Sequence, residues 1–307
     1  MPDTVAPMPD VVAAIDLGTN TARLLIAERD PYRQILLNRT ITRLGGGFTR
    51  EQGLSREAQQ RSVAALKEFA AEIERHRVAR VRAVATSAVR DARNGAEFCR
   101  RVEGETGIAL EVIDGREEAL LTLRGVASIL DDKSGDLAVF DVGGGSTEYT
   151  LASGDQPLFS LSLPIGVVRL TEGKVGLAEM EDKIRRELAG LRRELERGGL
   201  YRRFAGATLI GTAGTATTLA AIELGMEDYD YRRVNNHTMP LSEVQRIFDL
   251  LAPLSTRERL EVPGLEPGRE DLIIAGTLVV LVTMREFGFE NFKVSDSGLL
   301  EGLILGV

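Results

Sequence analysis

Two stretches about 125 residues apart repeat one design, Ile15-Asp16-Leu17-Gly18-Thr19-Asn20-Thr21 and Phe140-Asp141-Val142-Gly143-Gly144-Gly145-Ser146-Thr147-Glu148. Each begins with an apolar run, Val11 to Ile15 or Leu137 to Phe140, that ends in Asp, then Gly, then hydroxyl residues. A second apolar run follows. The pattern predicts two β-strands joined by a tight turn with exposed backbone N–H groups. Glycine lets such a turn approach an anion closely and adopt positive φ. The Asp at the strand end can hold a divalent cation directly or through water. Two such loops facing one another would grip a phosphate chain from both sides.

A chain of 307 residues exceeds the usual size of a single core, so two domains are expected. The net charge of −8 and the absence of Trp argue against a nucleic-acid partner and a base-stacking platform. A polyanion-binding site on an acidic chain must therefore be made locally, from basic residues and a metal ion. Cys99 is the one cysteine, which excludes an internal disulfide and a thiolate metal cluster and leaves a small packed side chain. Met1 to Asp10 has two acidic residues and three prolines, unlike a signal peptide. No later stretch reaches roughly 18 uninterrupted apolar residues, so no membrane partner and a cytoplasmic location are expected.

Strands are predicted at Val11–Ile15, Leu24–Glu28, Ile35–Thr42 and Arg80–Ala85. Ser55 opens a helix with Val63, Leu66, Phe69 and Ile73 on one face. A helix over Gly95–Glu105 capped by Gly107, a strand over Ile108–Ile113 and a helix from about Glu117 to Leu130 complete the first half. The second half begins again with a meander at Leu137–Val142, Thr147–Ala152 and Pro157–Leu163. A helix over 177–197 carries Met180, Ile184, Leu188, Leu191 and Leu195 on one face and Glu181–Arg185 and Asp182–Arg186 pairs on the other. Strand Ala207–Ile210, helix Ala213–Leu224, an irregular acidic loop and two more helices follow. The boundary is placed at the Asp131–Gly135 turn, giving domains 11–130 and 131–307, with the segment from Gly298 to Val307 as a closing helix.

The motifs Asp16-x-Gly18-Thr19-x-Thr21-x-Arg23 and Asp141-x-Gly143-Gly144-Gly145-Ser146 resemble the paired phosphate loops of the actin, sugar-kinase and heat-shock-chaperone superfamily. Within it the chain resembles the exopolyphosphatase/guanosine pentaphosphate phosphohydrolase (Ppx/GppA) family. Further motifs carry this resemblance: Thr42-Arg43-Leu44-Gly45, Thr86-Ser87-Ala88-Val89-Arg90-Asp91, Glu117-Glu118-Ala119, Pro263-Gly264 with Arg269, and Ser295-x-Ser297-Gly298-Leu299. It implies an α/β fold of two ribonuclease H-like, actin-like domains flanking a catalytic cleft, with the last helix packing back at the domain interface. It also implies metal-dependent release of terminal orthophosphate from inorganic polyphosphate. Guanosine pentaphosphate hydrolysis is the alternative, and a small-molecule kinase or an actin-like assembly protein stands further off. A homodimer is the expected assembly.

The family's catalytic glutamate is the second of the Glu-Glu pair, so that role transfers to Glu118; spacing alone reads both as acids favouring a helix N-terminus. A fixed carboxylate can orient a water in line and take its proton. Asp141, with Asp16 across the cleft, is expected to anchor Mg²⁺ or Mn²⁺, with K⁺ as a further candidate. Glu148 either holds a metal-bound water or is a strand-end glutamate. Gly18, Thr19, Asn20, Thr21, Gly143, Gly144, Gly145, Ser146 and Thr147 are expected to offer N–H and hydroxyl donors to phosphoryl oxygens. Arg23, Arg90, Arg93 and Arg269 are expected to hold phosphate or the charge of the transferring group, the alternative for each being a surface ion pair. Arg269 is placed at the start of a helix and against the distal chain. The loop Ile210-Gly211-Thr212-Ala213-Gly214-Thr215 resembles the superfamily's adenosine motif, or is a strand-to-helix turn. His76 and His237 lack metal-ligand spacing, and Tyr229 and Tyr231 are the aromatics that could stack a base. Many relatives carry Gly-Leu-Arg-Glu-Gly near the end, where this chain reads Gly298-Leu299-Leu300-Glu301-Gly302. A missing C-terminal helical domain is expected to shorten the substrate groove.

Overall fold

The structure is a computed structural model that describes residues 10–49, 51–173 and 176–306. The reading of Met1 to Pro9 and the last residue of the closing helix lie outside the described residues. Two mixed sheets form the two halves. The first half contains β1 (Val11–Leu17), β2 (Thr21–Glu28), β3 (Arg33–Ile41), α1 (Arg56–Arg75), β4 (Arg80–Ala85), α2 (Ser87–Arg90), α3 (Gly95–Thr106), β5 (Leu110–Val112) and α4 (Gly115–Ile129). The second starts with β6 (Asp136–Val142), β7 (Thr147–Ser153), β8 (Gln156–Leu163), α5 (Val167–Gly173), α6 (Leu177–Arg197), α7 (Tyr201–Ala205), β9 (Thr208–Thr212) and α8 (Ala213–Glu223). It ends with α9 (Tyr231–Val234), β10 (Thr238–Pro240), α10 (Leu241–Leu251), α11 (Thr256–Arg259), α12 (Ile273–Phe287), β11 (Asn291–Val294) and α13 (Leu299–Gly306).

The sheets repeat one topology. The first has strand order β3-β2-β1-β4-β5 and the second β10-β11-β9-β6-β7-β8. In each, an antiparallel meander adjoins parallel strands: β1 pairs antiparallel with β2 and parallel with β4, and β6 pairs antiparallel with β7 and parallel with β9. β1 and β6 thus occupy corresponding central positions, and each ends at its Asp-Gly turn. Burial explains why these segments are strands. Val12 to Ile15 and Leu137 to Phe140 are fully or almost fully buried, as central strands covered on both faces must be.

Two differences from the sequence reading stand out. β10 and β11 were not expected. Asn291-Phe-Lys-Val294 is too short to show periodicity, but Phe292 and Val294 are buried and β11 fills the place beside β9. Arg269 does not open a helix. α12 begins at Ile273, and Arg269 lies in the turns before it.

α4 links the halves. One face joins Leu123, Val126 and Leu130 to Leu137, Val139 and Ile210 of the second half. Another places Leu121 with Leu299, Leu300, Leu303 and Ile304 of α13 and with Val12 and Ala14 of β1. The closing helix therefore packs back onto the first sheet. Its approach to α4 is a backbone contact: a Cβ on Gly302 would lie 1.9 Å from the Leu121 carbonyl oxygen, and one on Gly125 1.9 Å from the Gly298 oxygen. Leu300, where many relatives carry arginine, is buried in this apolar cluster.

Candidate active site

β1 and β6 deliver their glycine turns to one place. Gly18 N–H donates to Thr21 O (3.0 Å) and Gly143 N–H to Ser146 O (3.0 Å), so the two turns close identically. They touch. A Cβ on Gly144 would lie 2.8 Å from Thr19 Cβ, and one on Gly145 2.0 Å from Ser87 Oγ and 2.8 Å from Thr19 Oγ1. Thr19 and Ser87 share a hydrogen bond of 3.0 Å across the same contact. Glycine is required here by close approach, because any side chain would wedge the loops apart.

A cavity of about 320 Å³ opens beside this contact. Of the expected residues, Asp16, Gly18, Thr19, Asn20, Thr21, Arg23, Glu118, Asp141, Gly143 to Ser146 and Arg269 line it. Arg90, Arg93, Thr147 and Glu148 do not. Arg90 stands behind the wall, where Nη1 donates to Ile113 O (3.0 Å) and lies 3.3 Å from Glu118 Oε2. Arg93 is exposed beside Gly53, away from the cavity. The Thr147 hydroxyl donates to Ile165 O (3.0 Å) and holds the strand rather than a ligand. Glu148 is 2% exposed and accepts from Ser162 Oγ at 2.6 Å.

The position of Glu118 follows from how its helix begins. Asp114 caps α4, its carboxylate accepting from Arg116 N–H (2.9 Å) and Glu117 N–H (2.8 Å). Gly115 lets the first turn press on β8, since a Cβ there would lie 2.6 Å from Ser162 Cβ. The helix therefore starts two residues before the expected Glu117, and its first turn aims Glu118 inward. Glu117 points outward, away from the cavity, and pairs with Arg82 at 2.7 Å.

Four carboxylates meet here with little positive charge among them. Burial, then the Glu148 and Asp141 carboxylates, raise the Glu118 carboxyl well above its usual range, with Arg90 opposing. Burial and Asp141 push Glu148 up to about 7. Burial, with Asp16 adding to it and Arg23 opposing, pushes Asp141 up to about 6. Burial opposes the charge on Arg23, but Asp16 outweighs it: Asp16 Oδ2 accepts from Arg23 Nη2 (2.6 Å) and Nε (3.0 Å). Asp16 Oδ1 and Asn20 Oδ1 are buried acceptors without a hydrogen-bond partner.

This charge balance bears on a cation. Among the described residues no three His, Cys, Asp or Glu side chains form a metal cage. A hard cation such as Mg²⁺ needs less, because one or two carboxylates suffice when phosphate and water supply the other oxygens. The orphaned Asp16 Oδ1 and the crowded Asp141 fit such a cation.

The cavity also gathers residues that the motifs did not single out as a site. Ser87 belongs to a quoted motif, but Arg39 sits inside the third predicted strand and carries no signal. Glu301, Asp296 and Glu266 line the same space without having been signalled, and Thr215 of the third loop and Tyr229, one of the two base-stacking candidates, line it as well. The third loop lines the cavity with Ala213, Gly214 and Thr215, and its glycines also meet close packing. A Cβ on Gly211 would lie 2.5 Å from Phe140 Cζ, and one on Gly214 1.7 Å from Arg269 Nη1. Thr212 is the N-cap residue of α8, and its hydroxyl donates to Ser297 O (3.1 Å). Tyr231 begins α9 and does not line the cavity. His237 pairs with Glu223 and His76 with Glu72. Cys99 packs against the first core.

The profile of the Ppx/GppA phosphatase family matches residues 25–307. The chain is 33% identical to Exopolyphosphatase 2 of Mycobacterium tuberculosis over 323 residues, which cover 96% of this chain and 98% of that one. It is 32% identical over 308 residues to a bifunctional 3-dehydroquinate synthase/phosphatase of Fusobacterium nucleatum, with 95% of this chain aligned but only 46% of the relative. Among solved structures, an Aquifex aeolicus Ppx/GppA enzyme superimposes with a TM-score of 0.79 at 34% identity, covering 97% of this chain and 99% of that one. An exopolyphosphatase from Cytophaga hutchinsonii gives 0.87 at 27% identity, with 97% and 98% covered.

Proposed function

The chain belongs to the Ppx/GppA phosphatase family, whose exopolyphosphatase relatives indicate a phosphoric anhydride hydrolase, and we propose that it releases terminal orthophosphate from inorganic polyphosphate. One observation carries this reading: a nearly buried carboxylate, Glu118, faces a cavity whose wall is two touching glycine loops.

The terminal phosphoryl group lies against the N–H groups of Thr19 to Thr21 and Gly144 to Ser146, those of Gly18 and Gly143 being used to close the turns. Uncharged donors there stabilise the equatorial oxygens without competing for the carboxylates' charge. Glu118 accepts a hydrogen bond from a water and holds it in line with the terminal P–O–P bond. As the water oxygen attacks phosphorus, its proton passes to the Glu118 carboxylate, the anhydride bond breaks and the shortened chain leaves. Arg90 keeps Glu118 oriented and favours its ionised form. Asp141 and Asp16 would hold Mg²⁺ or Mn²⁺, which when bound neutralises phosphate oxygens. Glu148, behind Glu118 and tied to Ser162, acts on the general base rather than on substrate.

A second reading has one observation in its favour. Tyr229 lines the end of the cavity defined by Arg39, Arg269 and Asp296, so a base could lie on its ring there. We therefore propose guanosine pentaphosphate as a secondary substrate. A phosphate-release assay with polyphosphate, guanosine pentaphosphate and ATP at one Mg²⁺ concentration tests both. The highest specificity constant is expected for polyphosphate, and a clear preference for either nucleotide would overturn the assignment.

A further inference from the structure

Away from the glycine loops, the cavity holds an ion cluster that hydrolysis itself does not use. Glu266 contacts two guanidinium groups from opposite halves of the protein. Its Oε1 pairs with Arg39 of β3, and its Oε2 lies 2.9 Å from Nε of Arg269, ahead of α12. Arg23 lines the same cavity further in. Three guanidinium groups are thus gathered around Glu266, which pairs with two of them, and the half-buried Asp296, whose charge faces all three. Burial, then the charges on Arg269 and Arg23, push Arg39 down to about 10, with Tyr229 and Asp296 opposing. Burial and Arg23 do the same to Arg269. The cluster's cationic charge is held at a cost, which a polyanion would relieve. Glu266 is itself 37% exposed and lies between two positive-φ glycines, Gly264 (φ +87°) and Gly268 (φ +88°), so its carboxylate has solvent to move into.

We propose that Arg39 is a specificity-determining residue that, together with Arg269, holds a phosphoryl group upstream of the cleaved bond. Glu266 occupies that anion place until a chain displaces it. The carboxylate and a phosphoryl oxygen pair compete for the same two guanidinium forks. The site then selects for substrates with phosphate beyond the terminal group, and the arriving chain exchanges one ion-pair partner for another across the two halves. This inference rests on the polyphosphate reading of the site.

The test uses Arg39→Gln and Glu266→Gln in the full chain, with long-chain polyphosphate as substrate and orthophosphate as a competitive inhibitor that probes the terminal subsite alone. For Arg39→Gln, KM should rise about tenfold, the loss of one charge-assisted contact, with kcat and the orthophosphate inhibition constant unchanged. For Glu266→Gln, KM should fall severalfold. An unchanged KM in Arg39→Gln, an equal loss of orthophosphate affinity, or a raised KM in Glu266→Gln would overturn the proposal. Should the wild type release no phosphate from polyphosphate, the functional reading fails separately. Equilibrium binding of the same long chain to wild type and Arg39→Gln then decides this one, with equal affinities contradicting it.

Discussion

Arg90 Nη1 stands 3.3 Å from Glu118 Oε2 while also donating to the Ile113 carbonyl at 3.0 Å, so a β-strand end fixes the cation that faces the proposed general base. Arg90 is the positive charge opposing the burial and the carboxylates that raise Glu118. Replacing Arg90 with Gln should therefore move the acid limb of kcat/KM to higher pH, because Glu118 must be ionised to take a proton. Arg90→Lys should shift it less. Equal acid limbs in wild type and Arg90→Gln would show that Arg90 does not set the ionisation of the base.

Stability should depend on pH through the same cluster. Asp141 at about 6, Glu148 at about 7 and the raised Glu118 bind protons more tightly folded than unfolded. Unfolded carboxyl groups titrate near pH 4, so the folded state binds more protons between about pH 4 and about pH 7. Metal-free protein should lose stability as pH rises through that window, and Mg²⁺ should flatten the slope. Asp141→Asn should lessen the slope and shift the cation titration. Thermal melts in chelator and in Mg²⁺ check this, a pH-independent melting temperature in chelator being the contrary result.

The contact between the loops makes a steric prediction. A methyl group at Gly145 would lie 2.0 Å from Ser87 Oγ and 2.8 Å from Thr19 Oγ1. Gly145→Ala must displace the Ser87 and Thr19 side chains and break their shared hydrogen bond, costing about 1–3 kcal/mol of stability as an overpacked site does. Turnover should fall more than the melting temperature suggests, since the loop carries N–H donors proposed to face the phosphoryl group. Parallel measurement of both quantities would expose a purely structural role if they fell together.

Helix packing should reach the chemistry as well. Gly302→Ala puts a methyl 1.9 Å from the Leu121 carbonyl, on the helix that carries Glu118. A loss of about 1–3 kcal/mol is expected, with reduced kcat. Gly104→Ala, on α3 with open space around its Cβ, is the control and should be neutral or slightly stabilising.

What the sequence made legible follows from the strength of local patterns. The Asp-Gly-hydroxyl turns and the amphipathic α6 repeat a clear period, and both lie where expected. Four residues of β11 cannot show a period, so only the sheet reveals them. Glu118 and Glu117 are indistinguishable by spacing, and it is the Asp114 cap and the Gly115–Ser162 contact that turn one inward and one outward. Arg93 was grouped with Arg90 by proximity in sequence, yet the turn after α2 leaves it exposed. Arg39 was invisible because its role depends on Glu266 and Arg269, more than 220 residues away.

The most direct test of the account compares Glu118→Gln with Glu117→Gln on polyphosphate in saturating Mg²⁺, measuring turnover and chain binding together. Gln keeps the shape of Glu118 and its hydrogen bonding but cannot take the water's proton. Turnover should fall by roughly 10²–10⁴ with binding retained, whereas Glu117→Gln, turned outward onto Arg82, should cost far less. Equal and small losses in both variants would contradict the assignment of Glu118 as the base.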